Sequence, residues 1–205
     1  ANNVVLTVDA NGAAIGASGV DNDINVTLTG TVTASAAVGN GGIYLTETGN
    51  MSVLSINANT GNIELQADGG TIKDANGTND EDTDVIAANF TVRNSSGIGS
   101  STLDALNLDI TGLAIANGSG DAFLTTAGGF AMGMLNINVA YNLDLRAKSG
   151  SITDNNSNVT AGNLTLRVDA NNASIGAPGL ANHIELHLSG TLNAFAQNGN
   201  GGIFF

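Results

Sequence analysis

A chain of 205 residues with 18 acidic and 5 basic side chains has a net charge of −13, which argues against a grip on nucleic acid or an anionic membrane surface. The absence of cysteine removes thiol catalysis and thiolate metal sites, and no apolar run approaches the ~20 residues that span a bilayer. Hydrophobic residues make up 42% and recur in order, which excludes disorder, while 28 glycines and a single proline suit short strands joined by small corners.

Taken in order, the chain alternates with period two. Val4, Leu6 and Val8 open it, and a corner containing Gly and Asn leads to Ile15. Ile24, Val26 and Leu28 alternate with Asn25, Thr27 and Thr29. Ile43 and Leu45 follow, then Leu54 and Ile56, then Ile63, Leu65 and Ala67, with Ile72 beyond a Gly69-Gly70 corner. Phe90 and Val92 precede Ile98; Leu106, Leu108 and Ile110 precede Leu113 and Ile115. Leu135 and Ile137, Leu143 and Leu145, Leu164 and Leu166, and Ile184 through Leu188 continue the pattern. Alternation of this kind marks strands with one buried face, and no apolar i, i+3, i+4 stripe marks a helix.

The strands belong to a repeat. Residues 161–205 repeat residues 1–45 at an offset of 160 without a gap, with 24 identities in 45 positions. Val8-Asp9-Ala10-Asn11 returns as Val168-Asp169-Ala170-Asn171, and Ile15-Gly16-Ala17 as Ile175-Gly176-Ala177. The period is itself doubled. Asn62-Ile63-Glu64-Leu65 resembles Asn142-Leu143-Asp144-Leu145 at an offset of 80, and Asn89-Phe90-Thr91-Val92-Arg93 resembles Asn163-Leu164-Thr165-Leu166-Arg167 at 74. The difference places six extra residues between Asp74 and Asn89. Residues 1–205 thus read as one solenoid segment, 1–160 being a full period of two halves of about 80 and 161–205 the start of the next. Because it begins and ends inside a repeat, the chain is expected to be a piece of something longer.

The predicted fold is all-β, a right-handed parallel β-helix of about 20-residue coils, since Val4, Ile24, Ile43 and Ile63 are spaced by 20, 19 and 20 residues. That spacing predicts about eight coils per period and, at ~4.8 Å per coil, a rise of roughly 40 Å. Inward Ile24, Ile43 and Ile63 are expected to stack as ladders. Glycine supplies positive φ at the corners, and Asn tolerates the same conformation and can hydrogen-bond along the stack.

Units such as Gly39-Asn40-Gly41-Gly42-Ile43-Tyr44-Leu45 and Gly61-Asn62-Ile63-Glu64-Leu65 resemble the repeats of filamentous haemagglutinin-type secreted adhesins, the exoproteins of two-partner secretion. The resemblance implies an extracellular or cell-surface bacterial filament that mediates adhesion or cohesion. The expected role is a stiff stalk. Its expected partners are neighbouring repeats or further copies joined end to end, and cell-surface glycans or other cells. The alternative is a β-helix that binds or degrades polysaccharide.

Few residues point to chemistry. The insertion carries Asp80, Glu81, Asp82 and Asp84 close after Asp74, and carboxylates in a loop suit Ca²⁺. Asp80, Asp82 and Asp84 are the candidate calcium ligands; no other cofactor is expected. His183, Glu185 and His187 are expected on the outer face of one strand, opposite Ile184, Leu186 and Leu188. Thr27, Thr29, Thr31 and Thr33 read as alternating along one strand. Arg93 and Arg167 occupy matched repeat positions, which suits packing better than a unique catalyst, and no catalytic pair of carboxylates is evident. Enzymatic activity is not expected.

Overall fold

A computed structural model describes residues 2–19, 21–77, 82–138, 140–155, 158–179, 183–196 and 198–205. Among these, sixteen strands form one continuous sheet, no helix occurs, and every pairing between strands is parallel. The protein is a parallel β-helix, as the repeat and the period-two alternation predict.

Each coil contributes to two ladders. Ladder 1 runs Leu6, Ala34, Ile56, Val85, Leu108, Thr126, Ala147, Val168, Ala196. Ladder 2 runs Ile24, Leu45, Leu65, Val92, Ile115, Leu135, Val159, Leu186. Long strands serve both. In Ile43–Asn57 the first half lies in ladder 2 and the second half in ladder 1, with the register slipping after Gly49 where the strand bends.

The side chains between the ladders make the core. Ile43, Ile63, Phe90, Leu113 and Met132 stack in register, as do Met51, Ile72, Ile98, Ala122, Leu143 and Leu164, all essentially inaccessible. Burial of each large aliphatic side chain contributes about 1.5–3 kcal/mol, so the stack is stabilised evenly along its length.

The coil is longer than the sequence spacing predicts. Seven register steps carry Leu6 to Val168, a mean of about 23 residues, and single steps run from 18 to 29. A 160-residue period therefore holds seven coils, not eight, and rises about 34 Å. The reason is physical. Among the described residues, 16–19, 21–23, 76–77, 82–83, 99–105 and 176–179 lie outside the ladders, so they lengthen the chain without adding a strand to the stack. Seven coils per period also means three and a half per half period. Equivalent residues of the two halves thus fall on opposite ladders: Asn62 to Leu65 lie in ladder 2, and Asn142 to Leu145 in ladder 1.

The asparagine stack exists on both sides. Asn89 Nδ2 donates to Asn62 Oδ1 at 2.9 Å, and Asn163 Nδ2 donates to Asn142 Oδ1 at 2.8 Å. Asn163 Oδ1 in turn accepts from the Thr191 N–H at 2.8 Å and its hydroxyl at 2.9 Å. Asn163→Ala removes all three bonds at an exposed position and is expected to cost about 1–2 kcal/mol in chemical denaturation. A cost near zero would show the stack to be ornamental. Asn59 and Asn172 carry positive φ at corners, the second where Gly12 stands one period earlier.

Thr27, Thr29, Thr31 and Thr33 do not share a strand. Ile24–Val26 ends before Thr27 and belongs to ladder 2, whereas Thr31–Ser35 belongs to ladder 1. A corner at Gly30, where a Cβ would strike the Asn2 carbonyl, divides the run.

Candidate functional site

The outer faces of the two ladders each carry one charged constellation, and in each a loop folds over it. The first loop, described over residues 16–19 and 21–23, leaves ladder 2 after Ile15. Gly16 allows this exit: its φ is +72°, and a Cβ there would lie 2.7 Å from the Tyr44 carbonyl and 3.3 Å from Asp23 Cα. The loop brings the Asp23 carboxylate, 1% exposed, against the Arg93 guanidinium and the Thr46 hydroxyl. Arg93 Nε lies 2.7 Å from Glu64 Oε1, and Ser18 Oγ donates to Glu64 Oε2 at 3.0 Å. Asp23, Thr46, Glu64 and Arg93 stand on four successive coils, so the cluster ties them laterally.

The second loop, residues 99–105, leaves ladder 1 after Ile98 and has the same geometry. Gly99 has φ +64°, and a Cβ would lie 2.7 Å from the Phe123 carbonyl and 3.2 Å from Ala105 Cα. Register completes the match. Ile24 pairs with Leu45 and Leu106 pairs with Leu124, so Ala105 stands where Asp23 stands. By the same alignment Phe123 matches Tyr44, Thr125 matches Thr46, Asp144 matches Glu64 and Arg146 matches Gln66; Arg167 follows Leu166 as Arg93 follows Val92, although a register shift at Arg93 pairs Gln66 with Asn94 whereas Arg146 pairs with Arg167.

Under this second loop the structure has a pocket of about 170 Å³ lined by Thr102, Ala105, Phe123, Thr125, Asp144, Arg146 and Arg167. Arg146 Nε is 2.6 Å from Asp169 Oδ2, and the Arg167 guanidinium sits 5.4 Å from the centre of the Phe195 ring. Burial pushes the Asp144 carboxyl above its usual value of 3.8, while Arg167 and Arg146 pull it back. A raised carboxyl pKa means that the native state holds its proton more tightly than the unfolded chain. Stability from this group therefore falls as pH rises from 3.8 through the folded value. Asp144→Asn is expected to raise the melting temperature at neutral pH and to leave it unchanged well below that range. A lower melting temperature at pH 7 would show that the ion pairs outweigh burial.

The candidate calcium ligands fare differently. Asp80 lies outside the described residues. Asp82 is exposed, but Asp84 is 1% exposed and its Oδ2 accepts the Asn107 N–H at 2.8 Å, while its backbone bonds Ile56 and Asn107. Asp84 thus helps return the chain to ladder 1. Among the described residues no group of three His, Asp or Glu side chains is placed to hold a metal ion. Glu185 and His187 are exposed on a strand whose Leu186 and Leu188 turn inward, as alternation predicts, and Ile184 is buried.

Ala105, Phe123 and Thr125 carry no signal by themselves. They become legible only when the loops are aligned on the strand that follows each of them. No family model matches the chain, and neither curated proteins nor solved structures give a match.

Proposed function

We propose that the protein is a stiff stalk segment of a long extracellular filament, which holds a terminal group or another cell at a distance. One observation carries the reading: the core and the hydrogen-bonded ladders run without a break from the first coil to the last. Axial extension of such a rod must break whole rows of parallel backbone bonds together. The backbone of each coil pairs only with the coils directly beside it, so stability grows with length and no separate core is needed. The lateral tie from Asp23 to Arg93 adds to this stiffness. The net charge of −13 keeps neighbouring rods from sticking.

Electron microscopy of tandem copies of the 160-residue period tests the proposal. Each added period is expected to lengthen an unbranched rod by about 34 Å, seven coils at ~4.8 Å. Particles that stay compact as periods are added would refute it.

A further inference from the structure

We propose that the pocket under loop 99–105 binds the carboxylate of a small organic acid, with a uronic acid as the ligand that fills it. The argument comes from the sister constellation. Under loop 16–23 an internal carboxylate, that of Asp23, occupies the place between Arg93 and Thr46 and bonds to both. The second constellation keeps the receiving groups, Arg167 and Thr125, but has Ala105 in place of the acid. The loop still folds over the outer face, so the missing carboxylate leaves a pocket.

Charge favours the same ligand. The first constellation balances Asp23 and Glu64 against Arg93 alone. The second sets Asp144 and Asp169 against Arg146 and Arg167, since Arg146 replaces Gln66. Counted over these groups it is one unit more positive than its sister, which lowers the electrostatic cost of taking in an anion. A guanidinium and a hydroxyl that line one pocket suit a carboxylate, through a charge-assisted bond and a neutral one. About 170 Å³ is below the ~300–1,000 Å³ of drug-sized sites, which limits the ligand to a small acid. The Phe123 ring and the Thr102 side chain line the remainder, an apolar wall and a hydroxyl against which a sugar ring can lie.

The test is a titration of the intact chain, by calorimetry or nuclear magnetic resonance, with glucuronate, acetate and glucose. Saturable glucuronate binding is expected, with acetate weaker and glucose silent. Ala105→Asp supplies the missing carboxylate and is expected to weaken glucuronate binding at least tenfold. Thr125→Val, which keeps the side-chain shape, is expected to weaken it several-fold and serves if Ala105→Asp folds poorly. No saturable binding to the native chain, or binding unchanged in both variants, would overturn the proposal. Acetate as tight as glucuronate would uphold the carboxylate pocket and overturn the sugar assignment. Imaging of rods and titration of the pocket fail independently, so loss of the stalk reading leaves this result standing.

Discussion

Gly41→Ala is expected to cost more than ~3 kcal/mol, above the usual range for overpacking. A Cβ at Gly41 would lie 1.8 Å from the Ala13 carbonyl oxygen and 2.6 Å from its carbon. Both are backbone atoms, so no side chain can swing aside. The strands on either side of this contact are tied by Ile15 N–H to Gly42 O and Tyr44 N–H to Ile15 O, each 2.9 Å. Relief of the clash must therefore break the first rungs of ladder 2 or displace the coil. The contact is architectural, because it recurs: Gly120 would strike the Ser96 carbonyl at 1.7 Å and Gly201 the Ala173 carbonyl at 1.8 Å. In a solenoid the damage stays local, so hydrogen exchange is expected to rise in the coils beside Gly41 and to stay low beyond Leu113. Gly128→Ala is the control. Nothing lies within 4 Å of a Cβ there, and the expected change is within about 0.5 kcal/mol. Equal costs for the two would refute the close-approach explanation.

Arg93→Leu is expected to cost about 3–5 kcal/mol, because it strands the buried Asp23 carboxylate and removes the partner of Glu64. The loss comes from the charges left behind. Asp23→Leu combined with Arg93→Leu is therefore expected to recover much of the stability that Arg93→Leu alone loses. A double-mutant cycle in chemical denaturant measures the coupling, and simple additivity would show that the two groups act separately. Arg167→Leu, the matched change, is expected to cost less, since no loop carboxylate meets Arg167. Comparison of the two arginines isolates the lateral tie from the packing of an arginine stem on a sheet.

These two cases mark the border between what the chain announces and what folding adds. Period-two alternation of Ile, Leu and Val, interrupted by Gly and Asn corners, is a local property, so the strands, their buried faces and the stacked parallel architecture are legible from the sequence alone. So is the asparagine stack, since Asn62 and Asn142 open matched strands. The candidate calcium loop was legible only as composition. Burial of Asp84 against the Asn107 backbone depends on how the chain re-enters ladder 1.

The coil count was out of reach for a definite reason. Distance along the chain counts loop residues and strand residues alike, whereas the stack advances only with strands. The opening spacing of 20 equates Val4, in ladder 1, with Ile24, in ladder 2, whereas Val4 pairs with Val32, and the threonine run reads as one strand because nothing local shows Gly30 to be a corner. Opposite placement of the two half periods follows from three and a half coils, a quantity that exists only once the ladders are paired. The sister pockets depend on it in turn. Asp23 and Ala105 are 82 positions apart and sit in loops of unequal length. Their equivalence rests on the shared backbone geometry of Gly16 and Gly99 and on the register of Leu45 and Leu124. The alternating sequence determined that this protein would stack; tertiary pairing decided which side chains share a face, because loops set the phase of every coil that follows them.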